Sequence, residues 1–130
     1  MNQNTVATIS GAQAGRLSIL MGNHGVYFEV QGEYTTAFAF TVGRSNIEER
    51  LSLLTNILRC LVGCAGDTAI EAIDGKQVRV QMKGNEIEAL GWTEKPASIP
   101  ASVAPFITTD GWFWTNKLAE FFNGDLARAA

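Results

Sequence analysis

A chain of 130 residues, 14.0 kDa in mass and 46% hydrophobic, suits one domain spanning residues 1–130, with enough apolar material for a single core. The formal charge of −3 and a pI near 5.1, with ten Lys and Arg scattered along the chain, leave no electrostatic footprint for duplex nucleic acid, which asks for clustered cations. No stretch reaches the roughly 18 apolar residues of a membrane helix, and residues 1–15 lack the basic start and apolar core of a signal peptide. The expectation is a cytoplasmic protein without a membrane partner, its first fifteen residues polar and flexible.

In chain order, Leu17, Ile19 and Met21 alternate with Arg16, Ser18 and Leu20, which predicts a first strand, and Gly22-Asn23-His24-Gly25 supplies residues that tolerate the left-handed region in a turn. Val26, Phe28 and Val30 then share one strand face, with Tyr27, Glu29 and Gln31 on the other. Beyond a turn at Gly32-Glu33, a third strand puts Tyr34, Thr36, Phe38, Phe40 and Val42 on one side and the small set Thr35, Ala37, Ala39 and Thr41 on the other. Small residues there admit close packing by a helix, a partner chain or a planar ligand, and helix packing is the plainest expectation.

Ser45 followed by Glu48 has the spacing of a capping box and predicts a helix over residues 45–63. Ile47, Leu51, Leu54, Leu58 and Leu61 recur at helical spacing beside Leu53, Ile57, Cys60 and Cys64, so the helix should lie centrally against the sheet and end in a left-handed cap at Gly63 or Gly66. Cys60 and Cys64, one turn apart, read as reduced thiols acting as small hydrophobes, since one histidine and two cysteines do not make a zinc set. A further turn from Asp67 to Ile73, capped by Asp67, leads into a hairpin with Val78, Val80 and Met82 inward and Gln77, Arg79 and Gln81 outward. All three prolines fall in residues 93–107, an extended connector. Asp110 is then placed to cap an aromatic-rich C-terminal helix carrying Trp114, Leu118, Phe121 and Phe122 and ending at Asn123-Gly124. The fold class is α+β: an antiparallel sheet of about five strands on one long central helix, plus that C-terminal helix.

The chemistry of catalysis is missing from the sequence. His24 stands alone in a turn, Glu48 and Glu49 serve the start of a helix, and Glu86 and Glu88 share a strand face in the ordinary solvated alternation. No glycine-rich cofactor loop is spelled. What remains is binding chemistry: the first-turn amides of the long helix with Arg44 beside them suit an anion, and indole and guanidinium planes suit a nucleobase. With Phe106, Trp112, Phe113, Trp114, Phe121 and Phe122 so close together, a second subunit is the expected cover for part of this aromatic surface.

Taken in series, the His24-Gly25 turn, Glu33-Tyr34, Leu58-Arg59-Cys60-Leu61-Val62-Gly63, Asp74-Gly75-Lys76-Gln77-Val78-Arg79-Val80, Ile87-Glu88-Ala89-Leu90-Gly91 and Asp110-Gly111-Trp112-Phe113 resemble a group of small phage-encoded proteins that includes the Thoeris anti-defence sponges. The likeness spans roughly residues 16–113. The chain departs from it at Thr35-Thr36-Ala37-Phe38-Ala39-Phe40 and in the proline connector, where a pocket would be shaped. The resemblance implies a non-enzymatic homo-oligomer that binds a small nucleotide at its subunit interfaces and so sequesters a cyclic nucleotide immune signal, and no cofactor is expected. Trp112 and Phe113 would stack on the base, and Arg44, Arg79 and Lys117 would meet the phosphate. The alternative is a phage inhibitor or accessory factor that binds a protein through its aromatic C-terminal helix.

Overall fold

The computed structural model describes residues 4–64 and 68–129. Six strands form one curled antiparallel sheet: β1 (Asn4–Arg16), β2 (His24–Gln31), β3 (Thr35–Thr41), β4 (Gln77–Lys83), β5 (Glu86–Trp92) and β6 (Trp112–Trp114), in the order β3-β2-β1-β4-β5-β6. Helix α1 (Ile47–Leu61) packs on β1, β2 and β5, and helix α2 (Thr115–Ala129) on β3, β5 and β6. Both helices bury residues in the same core as the inward faces of the strands, among them Leu54, Ile57 and Leu61 of α1 and Leu118 and Phe122 of α2.

The N-terminal segment is a correction to the sequence reading. Far from being flexible, β1 runs through the middle of the sheet, paired with β2 on one side and β4 on the other. Its pattern is hard to see because a bulge between Ser10 and Gln13 resets the alternation, so the inward positions are Ala7 and Ile9 before it and Ala12 after it. The Ala12 amide freed by the bulge donates to the Asp74 carboxylate at 2.9 Å, and the Gly75 amide donates to the Ile9 carbonyl at 2.8 Å. The stretch expected as the first strand is instead a 3₁₀ turn, Ser18–Leu20, closed by Met21 in the left-handed region at φ 57°.

The β2–β3 hairpin follows its alternation throughout, and β4 follows it through Val80, beyond which the pairing with β5 shifts between Gln81 and Met82. Val26, Phe28 and Val30 are buried, Phe38 stacks on Phe28 with ring centres 5.2 Å apart, and Val78 and Val80 are buried while Arg79 faces out. The small face of β3 carries no helix: Thr35, Ala37 and Ala39 are exposed, and both helices lie on the opposite side.

Helix α1 starts one residue later than the capping box suggests. Asn46 occupies the cap position at φ 54° with no side-chain capping bond, because Gly43 and Asn46 both turn through the left-handed region and carry Ser45 out of register. The C-terminus ends as expected at Gly63, whose φ of 75° allows its amide to reach the Cys60 carbonyl and the Cys64 amide to reach that of Arg59. Asp67 lies outside the described residues, while Ile70 and Ile73 of the next 3₁₀ turn are buried.

Cys60 and Cys64 are free thiols, and burial pushes the Cys60 thiol above its ordinary range, so little thiolate is present at neutral pH. The expected result is an unfolding midpoint independent of reductant and slow alkylation of Cys60 in the native protein. A midpoint that falls in reducing buffer contradicts the free-thiol assignment.

The C-terminal third differs most from expectation. The connector over residues 93–107 includes a 3₁₀ turn at Ala104–Phe106 and is pinned by the fully buried Val103. Asp110 caps no helix but sits in a tight turn, where the Gly111 amide donates to the Thr108 carbonyl and the Thr108 amide to that of Trp112. Trp112–Trp114 then pairs with β5 as an edge strand, and α2 begins at Thr115, whose hydroxyl bonds the Ile87 carbonyl at 2.9 Å, and continues past Asn123-Gly124. The chain covers much of this C-terminal aromatic run itself: Phe113 and Phe122 are fully buried, Trp112 is 9% exposed, Phe106 and Trp114 are half-buried, and Phe121 at 41% is the most exposed of the run, so the run alone does not require a second subunit.

Candidate functional site

Two of the five residues proposed from sequence meet. Arg79 projects outward from β4, and its guanidinium carbon lies 4.2 Å from the centre of the Trp112 ring on β6. Nε donates to the Trp92 carbonyl at 2.6 Å and Nη2 to the Asp110 carbonyl at 2.7 Å. Gly91, between them on β5, makes room for the stack, since a Cβ there would stand 2.9 Å from both Arg79 Nη2 and Trp112 Cε3. The arrangement ties the Asp110 turn to the sheet and covers one face of Trp112 with the protein's own cation. It is a clamp, with little of the indole left for a ligand.

Phe113 alternates to the inner face and is 0% exposed, touching Trp92 edge-on at 6.3 Å, so its role is packing and not stacking on a ligand. Lys117 is exposed on α2. Neither Lys117 nor the Arg79–Trp112 pair lines the groove that contains Arg44.

That groove is open, about 1070 Å³ in volume, and lies along the first turns of α1. Arg44, Asn46, Ser52 and Asn56 supply polar groups and Ser102 reaches in from the connector. Arg44 is exposed and enters no hydrogen bond or ion pair among the described residues. With Asn46 giving no side-chain cap, the first amides of α1 are available at the same end. Glu48 and Glu49 add negative charge to this wall, so an anion here depends on Arg44.

Arg50 also lines the groove, but it is a latch: Nε donates to the Val42 carbonyl at 2.9 Å, Nη2 to that of Phe121 at 3.0 Å, and the guanidinium lies 4.8 Å and 5.4 Å from the Phe121 and Phe122 ring centres. The sequence reading missed Asn46, Ser52, Asn56 and Ser102. Glu49, Ser52 and Asn56 fall at i, i+3 and i+7, so the polar stripe of the helix was the available signal; nothing in the sequence places Ser102 beside it.

A second cavity of about 370 Å³ opens at the far end of the inner sheet face, floored by Ala7, Val30 and Val80 with Tyr34 at its mouth. Elsewhere the chemistry is sparse. The Tyr27 hydroxyl donates to the Glu29 carboxylate at 2.6 Å, a bond that pushes the phenol up from its ordinary range. Among the described residues no group of three His, Cys, Asp or Glu is placed to hold a metal, and no helix is long and apolar enough to cross a membrane. Comparison of the chain with protein-family models, with curated proteins and with solved structures gives no match in any of the three.

Proposed function

We propose that this protein is a non-enzymatic binding protein that sequesters a cyclic nucleotide signal, of the cyclic ADP-ribose or cyclic oligonucleotide kind, in the groove at the start of α1. The observation that carries the reading is the exposed, unengaged Arg44 beside the uncapped amides of α1. A phosphate between them meets a cation and backbone donors at once, which is the pairing an anionic ring requires. Base recognition falls to Ser52, Asn56 and Ser102 in the same groove. Arg79, Trp112 and Phe113 serve the fold. The protein-inhibitor alternative has less surface to draw on, because α2 turns Leu118 and Phe122 into the core and its Phe121 packs edge-on against Phe106 at 5.1 Å.

Calorimetry against a panel of cyclic nucleotides is expected to find a ligand that is returned chemically intact on denaturation. Arg44→Ala should weaken binding by about 1 to 3 kcal/mol, the range for a charge-assisted hydrogen bond, with little change in the unfolding midpoint. A folded protein that binds no member of the panel, or that binds equally well without Arg44, refutes the reading.

A further inference from the structure

The two edges of the sheet are unlike. β6 is three residues long, whereas β3 presents seven, and for residues 35–40 the backbone makes no bond to a described residue beyond the β2 ladder. Edge strands in monomeric proteins are normally blunted by a charge, a proline or a bulge. β3 has none of these: it reads Thr-Thr-Ala-Phe-Ala-Phe-Thr, and its pairing with β2 runs without a register shift. Thr35, Ala37 and Ala39 on its outer face are exposed, and α2, which packs on β3, does so from the inner side through its buried Leu118 and Phe122.

We propose that β3 pairs antiparallel with β3 of a second copy, centred on Phe38, joining two six-stranded sheets into one. The flanking charges choose the occupant and the direction. An antiparallel register about Phe38 sets Ala37 opposite Ala39 of the other copy and Thr35 opposite Thr41. It also brings Glu33 next to the end carrying Arg44 of the other copy, whereas a parallel pairing sets Glu33 against Glu33. Small residues opposite one another on the outer face let the two backbones come to ladder distance without a clash. The ladder itself is made by the β3 backbone and asks for no nucleotide in the groove, although Arg44 at its end also lines that groove.

Sedimentation velocity over a hundredfold range of concentration, up to about 100 µM and without nucleotide, is the test. The wild-type chain is expected to move from 14.0 kDa to twice that mass. The double variant A37K/A39K puts lysine opposite lysine twice and should weaken association about tenfold or more. A37K/A39E puts lysine opposite glutamate in this register only and should keep the dimer. A wild-type monomer throughout the range overturns the proposal, as does a dimer indifferent to A37K/A39K or one lost in A37K/A39E with the protein folded. Should a variant fail to fold, amide exchange on the wild type decides: β3 amides must slow as concentration rises, and unchanged exchange overturns the pairing.

Discussion

Replacing Phe122 by alanine is expected to cost about 3 to 5 kcal/mol of stability, a large part of the roughly 5 to 15 kcal/mol that holds a domain of this size together. The side chain is fully buried in the core that also contains Phe28, Phe40 and Phe113. Its ring lies 6.3 Å from that of Phe106, nearly parallel, and 4.9 Å from Phe121, edge-on, with the Arg50 guanidinium 5.4 Å from its centre. Removing it empties the place where α2, α1 and β3 meet, because Arg50 ties the Phe121 carbonyl to that of Val42 across the same spot. Phe121→Ala, at a ring 41% exposed, should cost clearly less. Urea unfolding of both variants decides the matter: a Phe122→Ala loss below about 1 kcal/mol would mean that α2 is not part of the core.

What could be read from the sequence follows the integrity of its periods. The start of β4 and the stripe of α1 were legible because their periods are unbroken over the residues that pack: Val78 and Val80 in one, Leu54, Ile57, Leu58 and Leu61 in the other. β1 was not, since the bulge at Ser10–Gln13 shifts its phase and its inward residues are mostly alanines. Leu17, Ile19 and Met21 carry the opposite lesson. They mimic a strand, yet Ile19 is 52% exposed on a 3₁₀ turn and Met21 92% exposed at its cap, because three apolar residues in alternation do not guarantee a face to bury.

The aromatic run failed for a related reason. Leu118, Phe121 and Phe122 do sit at helical spacing on α2, but Trp114 is the last residue of β6, where Trp112 and Phe113 alternate, one outward under Arg79 and one inward to the core. Reading that alternation would have separated the two proposed stacking residues. The partner of Arg79 was out of reach of any local pattern, since Trp112 comes beside it only through the order β4-β5-β6. Arg44 was legible as a cation next to a helix start, and the groove around it needed the connector that delivers Ser102.

Gly25→Ala is the smallest substitution with a large expected effect. Gly25 pairs with Thr41 on β3 and with Gly15 on β1, and a Cβ built there would stand 2.0 Å from the Phe40 carbonyl oxygen and 2.9 Å from Leu20 Cδ1. The Leu20 side chain can move; the carbonyl cannot, because Phe40 lies within β3, paired with Val26 of β2. One residue on, the Val42 amide donates to the His24 carbonyl at 3.0 Å, and this bond directs the chain through Gly43 to Arg44 and the start of α1. Forcing β3 away from Gly25 therefore loosens the hairpin and displaces the wall of the groove together. The loss should reach about 3 kcal/mol or more, the upper range for overpacking, and the proposed nucleotide binding should weaken alongside stability. Gly75→Ala separates sterics from backbone strain: at φ 86° with no atom within 4 Å of the added carbon, it should cost only about 1 to 2 kcal/mol. If thermal unfolding places Gly25→Ala at the wild-type midpoint, the Gly25–Thr41 register is wrong, and with it the position assigned to Arg44.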